Sequence, residues 1–99
     1  MTTQLFLASL VGKVFKILPL FEDARCGKEV FLKGYIDSLL IELRGAFYTF
    51  PELVDSDKFV AVVNTINYFN AYLDDMSLTV CRREVLKAVN ILKRLSGGE

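Results

Sequence analysis

Apolar side chains recur at intervals of three and four along almost the whole of this chain, in four runs parted by short polar or proline-containing breaks. That spacing places them on one stripe of a helix, whereas a half-buried strand would alternate with a period of two. In the first run, about residues 3–18, Ser9, Gly12, Lys13 and Lys16 form one narrow polar stripe, and the rest is mostly Leu, Val, Phe or Ile. This pattern predicts a helix buried over most of its girth. Pro19 has no amide hydrogen and clashes with the preceding turn, so it is expected to end or kink that helix, with a loop at residues 22–27.

The second predicted helix covers about residues 28–47. Phe31, Tyr35, Leu39, Leu43 and Phe47 stack at a spacing of four with Ile36 and Leu40 beside them, and Gly34, Ser38, Ile41 and Gly45 lie on the other side. Residues 49–53 read as a turn, because the residue before Pro51 is pushed out of the helical region. Phe47, Tyr48 and Phe50 are expected to plug one end of the core. Asp55 or Ser56 can cap a third helix, whose inner face is Phe59, Val62, Val63, Ile66, Phe69 and Leu73. Asp74, Asp75 and Ser77 make the next break and offer its cap. A fourth helix over residues 78–95 turns Cys81, Val85, Val89 and Leu92 inward and stops at Ser96-Gly97-Gly98. Four helices with short links predict an all-α protein, an antiparallel four-helix bundle forming a single domain over residues 1–99.

Composition narrows the chemistry. Hydrophobic residues are 53% and charged residues 24% of the chain, which excludes intrinsic disorder. In so small a domain that apolar content suggests surface left over after folding, which a second copy would bury, so a homodimer is expected. There is no His, which removes Ser-His-Asp and Cys-His catalysis. Two isolated Cys cannot build a zinc site, and no glycine-rich run is present to cradle phosphates. Only carboxylate chemistry or Mg²⁺ binding stays open on these grounds. The adjacent Asp74 and Asp75 point in different directions with no third ligand placed by spacing, and read as loop and cap. No catalysis, cofactor or metal is expected.

Location follows from the same residues. The apolar stretch 5–21 is interrupted by Lys13 and Lys16 and carries Pro19 near its end, so no membrane span is expected. Met1-Thr2-Thr3-Gln4 supplies no positive charge ahead of it, unlike a secretory signal. Cys26 and Cys81 read as thiols without a redox role, and the expected location is the cytoplasm.

Two surfaces are candidates for binding. On the third helix Ala61, Thr65, Tyr68 and Tyr72 align opposite the core stripe with Asn64 nearby, and tyrosine is enriched where proteins meet. On the fourth, Arg83, Lys87, Asn90 and Arg94 share one face, in a helix that also carries Arg82 and Lys93 against Glu84. That face could contact phosphates and base edges. It could equally be solvated, its cations complementing the helix's negative C-terminal end. Lys+Arg 12 against Asp+Glu 12, with acidic loops at 52–57 and 74–75, favours the solvated face. The row Gly34, Ser38 and Gly45 could let another backbone approach closely, but it sits among Lys33, Asp37 and Glu42, which favours a solvent face.

Tyr35-Ile36-Asp37-Ser38-Leu39-Leu40-Ile41-Glu42-Leu43, Val63-Asn64-Thr65-Ile66-Asn67-Tyr68 and Cys81-Arg82-Arg83-Glu84-Val85-Leu86-Lys87 resemble segments of short helical proteins carried by prophages and mobile elements of Gram-positive bacteria. The resemblance spans about residues 14–95. It implies a small helical accessory protein and transfers no functional residue. In length and architecture the chain is also similar to bacteriocin immunity proteins, which are more basic four-helix bundles. The expected function is a non-catalytic protein-interaction or accessory protein that binds itself or another protein. The alternatives are a nucleic-acid-binding accessory using the last helix, or an immunity-type protein shielding a membrane target, which would need an exposed apolar helix.

Overall fold

Local signals set the helix starts. The threonine or serine oxygens of Thr2, Ser56 and Ser77 each accept a hydrogen bond from an amide three residues on (Leu5, Phe59 and Val80, each at 3.2 Å). Each satisfies one of the free donors of a first helical turn. The computed structural model describes residues 2–27 and 31–97. Its helices are α1 (Thr3–Phe15), α2 (Ile17–Arg25), α3 (Leu32–Thr49), α4 (Asp57–Tyr72) and α5 (Leu78–Ser96), with 3₁₀ turns at Pro51–Asp55 and Leu73–Asp75. No strand occurs among the described residues. Residues 28–30, expected to open the second helix, and Gly98 of the expected terminator lie outside the described residues.

The first helix departs from expectation. It does not end at Pro19 but carries it as the third residue of α2, where a proline is tolerated because first-turn amides have no intrahelical acceptor. The missing Pro19 amide leaves the Phe15 carbonyl without its usual donor, and the break falls there, at Lys16. Lys16 itself stays helical (φ −63°, ψ −20°), so α1 and α2 form one bent helix and the fold has four helical arms. Residues 22–25, expected as loop, are helical because Ile17, Leu18 and Phe21 give α2 its own buried face. The chain turns at Gly27, whose φ of +84° is the left-handed conformation that stops a helix.

These arms form an all-α antiparallel four-helix bundle. α1 lies along α5, α5 packs on α4, and α4 on α3; α2 closes the bundle by packing against both α5 and α3. Phe21, Phe59 and Phe69 are the largest fully buried side chains, joined by Leu10, Ile17, Ile36, Leu43, Ile66 and Leu92. Burying each is worth about 1.5–3 kcal/mol over leaving it in water. No polar or charged side chain is buried among the described residues. The body measures 40 × 22 × 20 Å with a radius of gyration of 13.3 Å, against about 13 Å for a compact domain of this length.

Three expectations about faces are corrected. α1 is not buried over most of its girth: Phe6, Leu7, Leu10 and Val14 point inward, while Leu5 (62% exposed), Ala8 and Phe15 face out. A helix at the rim of a bundle has neighbours on one side only. Phe31 does not belong to the core and is 91% exposed. A row at a strict spacing of four drifts about 40° per step, so Leu39 and Leu43 are buried while Tyr35 and Phe47 are half-buried; Phe31 precedes α3 as its N-cap, with ψ +54° outside the helical region, and so leaves the row altogether. Of the expected aromatic plug, Phe47 meets Phe59 edge-on (5.4 Å between centroids) and Phe50 meets Phe6 (5.1 Å), but Tyr48 points away from the core.

Gly12 gives the fold a direct test. It lies inside α1, and a Cβ there would meet nothing within 4 Å. Gly12→Ala is expected to stabilise the protein by about 1 kcal/mol, raising Tm by about 4–8 °C for a domain of this size. Leu10→Ala, two positions away and fully buried, is expected to cost about 2–5 kcal/mol. Thermal and urea denaturation followed by circular dichroism read both; a Gly12→Ala variant that melts lower would mean α1 is not packed as described.

Candidate interaction surfaces

α4 turns Phe59, Val62, Val63, Ile66 and Phe69 inward, which leaves Tyr68 and Tyr72 outside, 42% and 53% exposed. One helical turn apart, their rings lie 5.0 Å between centroids at 42°. Ala61 and Thr65, expected in the same patch, are half-buried beneath it, and the Thr65 hydroxyl donates back to the Ala61 carbonyl at 2.9 Å. The tyrosine pair is therefore the projecting part of this surface.

A second apolar surface lies on the neighbouring α3, where the sequence pointed to the small row Gly34, Ser38 and Gly45 but not to the large side chains beside it. Phe31, Tyr48 and Ile41 (72% exposed) are the most exposed large hydrophobic side chains among the described residues. Ile41 and Tyr48 share the outer side of α3 with Gly34, Ser38 and Gly45, which face solvent as expected. The signal was present as a seven-residue step, Gly34 to Ile41 to Tyr48, which keeps one face over two turns. It was hidden by assigning Phe31 and Tyr48 to the core.

Polar groups border this surface on both flanks. Towards α4, Lys33 bonds Asn70 and pairs with Asp37 at 3.4 Å, and Arg44 Nη2 donates to Asn67 Oδ1 at 3.0 Å. Towards α1 runs a groove of about 510 Å³, lined by Ser9, Gly12, Lys13 and Lys16 on one side and by Tyr35, Ser38, Leu39 and Glu42 on the other. Lys13 and Glu42 bridge it at 2.5 Å, and the Tyr35 hydroxyl donates to the Lys13 carbonyl at 2.6 Å. The Lys16 ammonium sits 5.7 Å from the centre of the Tyr35 ring. Burial, and then the Glu42 carboxylate, raise the Tyr35 pKa.

α5 brings all four of its expected residues together. Arg83, Lys87, Asn90 and Arg94 line a shallow depression with Leu86 and Ile91. Arg83 pairs with Glu84 at 3.3 Å and Arg82 with Glu22 at 3.8 Å, whereas Lys87 and Arg94 have no acidic partner among the described residues. Lys93 and Arg94 also occupy the last turn, where a cation complements the helix's negative end. Elsewhere, Asp74 and Asp75 lie in a 3₁₀ turn, and no group of three His, Cys, Asp or Glu suited to a metal occurs among the described residues.

Comparison of the chain with known families, curated proteins and solved structures finds no match. Any functional reading therefore rests on these surfaces.

The two thiols differ in environment. Cys26 is exposed; Cys81 is buried in α5, and burial together with the nearby Glu22 carboxylate pushes its pKa up to about 11, with Arg82 opposing. A thiol reagent is expected to modify Cys26 in the native protein and Cys81 only after denaturation. An unfolded thiol ionises near 9.0, so above that pH the unfolded chain binds fewer protons than the native one. The stabilising contribution of Cys81 is complete below pH 9 and is lost as pH rises towards 11, and Tyr35 acts in the same direction. Tm measured across this window is expected to fall, and Cys81→Ala to flatten the fall. Equal native reactivity of both thiols would contradict the burial of Cys81.

Proposed function

We propose that this chain is a non-catalytic helical interaction module of the cytoplasm that works by binding another protein or its own copy. The observation that carries this reading is the exposure of large apolar side chains on two adjacent helices, Ile41 and Tyr48 on α3 with Phe31 just before it, and the Tyr68–Tyr72 pair on α4. Side chains of this kind are the usual anchors of protein interfaces. The bent helix Thr3–Arg25 is long and apolar enough to cross a bilayer, with a mean hydropathy of 1.6 over its most apolar 18 residues. A third of that stretch is buried, and its residues Leu10, Val14 and Ile17 are fully enclosed by the bundle, which supports reading it as a helix packed on the bundle by one face. The resemblance to prophage and mobile-element proteins fits a small accessory role of this kind.

Tyr68→Ala combined with Tyr72→Ala tests the α4 part of the surface. Truncating side chains that only face solvent changes stability by less than about 0.5 kcal/mol, so Tm is expected to stay nearly constant. Losing an interface anchor costs about 2 kcal/mol of binding, roughly thirtyfold in affinity, read by self-association or partner capture. A double variant that binds as before removes α4 from the interface.

A second reading, a nucleic-acid-binding accessory, is favoured by Lys87 and Arg94 standing without acidic partners among the described residues, beside Arg83 and Asn90. Contact with about three phosphates would give a log–log salt slope near −3, and replacing Arg83, Lys87 and Arg94 by Glu would abolish binding without unfolding the bundle. No mobility shift with DNA or RNA at about 50 mM salt would reject it.

A further inference from the structure

We propose that the outer face of α3 is a self-association surface on which α3 of a second copy packs antiparallel, with Ile41 on the two-fold axis. This rests on the interaction-module reading and specifies its partner. A two-fold interface must be its own complement, residue i meeting j and j meeting i, and the solvent face of α3 has that property about Ile41 in both shape and charge.

Gly34, Ile41 and Tyr48 lie along one line, because seven residues fall only about 20° short of two full turns. Gly34 and Tyr48 sit about 10 Å to either side of Ile41 at a rise of 1.5 Å per residue. In an antiparallel pair centred on Ile41, the Tyr48 ring of each copy therefore arrives over Gly34 of the other. Among the described residues there is room for it: a Cβ at Gly34 would meet only the Cβ of Phe31, at 3.9 Å. Phe31, the most exposed large hydrophobic among the described residues, stands beside that space.

Charge fixes the same register. Asp37 lies four residues before Ile41 and Arg44 three after it, both on the flank towards α4. A two-fold axis across the helices keeps that flank on the same side, so Arg44 of each copy comes beside Asp37 of the other and two ion pairs form. Within one chain the two residues have other partners, Lys33 for Asp37 and Asn67 for Arg44. A parallel pair would instead set Tyr48 against Tyr48 and carry Asp37 and Arg44 of the two copies to opposite flanks, beside Ser38 and Gly45, where no ion pair forms between them. The opposite flank carries Ser38 and Gly45, both exposed and small enough for close backbone approach. One helix against its copy falls near the low end of specific interface sizes, about 1,200 Å², so dissociation in the micromolar range is expected.

Charge reversal tests the register in trans. Asp37→Arg alone places Arg beside Arg44 at both pair positions, and Arg44→Asp alone places Asp beside Asp37. Each variant is expected to be monomeric by light scattering at concentrations where the native protein dimerises. An equimolar mixture restores both attractive pairs and is expected to form a heterodimer. A chain carrying both changes should dimerise as the native one does. Native-like melting of each variant guards against misfolding. As a second measurement, Ile41→Cys in a Cys26→Ser background meets its own copy on the axis and is expected to cross-link to a covalent dimer with oxidised glutathione. A native dimer whose two variants each still dimerise alone, or whose mixture stays monomeric, would overturn this surface while leaving self-association through another face. A native protein monomeric throughout the micromolar range would overturn it as well, and the Tyr68–Tyr72 surface would still be read by partner capture.

Discussion

The core built around Phe21, Phe59 and Phe69 holds no polar or charged side chain among the described residues, and the rest of the structure follows from that. An apolar core is non-directional, so it fixes which stripe of each helix turns inward but supplies no groups for chemistry. Polar side chains are driven to the rim, where they act as ties between neighbouring helices. Lys33–Asn70 and Arg44–Asn67 join α3 to α4, and Lys13–Glu42 joins α1 to α3. Exposed ion pairs are each worth about 0–1 kcal/mol. They orient the arms that hydrophobic burial has already brought together. The fold thus leaves its outer faces as the places where this protein can meet anything else.

The parts of the fold that depend on nearest neighbours were legible in the sequence. Ser56 and Ser77 cap helices where they were expected to, and α4 and α5 bury the predicted apolar sets, with Leu73 only half-buried. α5 was also legible, because its charged and apolar residues segregate cleanly, and Arg83, Lys87, Asn90 and Arg94 end on one face as their spacing implied. What failed was phase and coverage. The row from Phe31 to Phe47 looked continuous, yet α3 begins only at Leu32, and the non-helical backbone of Phe31 leaves its ring outside the core. Pro19 was read as a stop, although the bend sits at Lys16, where the carbonyl it orphans belongs to the preceding turn. How much of α1 is covered depends on where α3, α4 and α5 lie, which the periodicity of α1 alone does not encode.

The same distinction accounts for the α1–α3 groove. α1 lies against α5 and α2 against α3, so the backbones of α1 and α3 are held apart and meet only through long side chains. Small residues on both walls, Ser9 and Gly12 facing Ser38, keep the space open. A single bulky apolar residue at one of these positions would have filled it. Gly45 extends the low-profile edge of α3, and a Cβ there would meet nothing within 4 Å. Glycine inside a helix costs about 1 kcal/mol relative to alanine, and no contact among the described residues requires it at that position.

The two kinds of surface are also segregated by the topology. α3 and α4 carry the exposed aromatic and aliphatic groups, while the unpaired cations Lys87 and Arg94 lie on α5. α3 and α5 are not packing neighbours; α4 and α2 lie between them, with the core inside. A partner on the outer face of α3 would therefore leave the basic face of α5 open, and a polyanion on α5 would leave α3 open. Lys33, Asp37 and Arg44 on α3 add up to a single positive charge, so association there should respond weakly to salt. Contact through α5 should respond steeply, because each neutralised phosphate releases counterions. Ionic strength alone thus separates what each face does, without altering a residue in either.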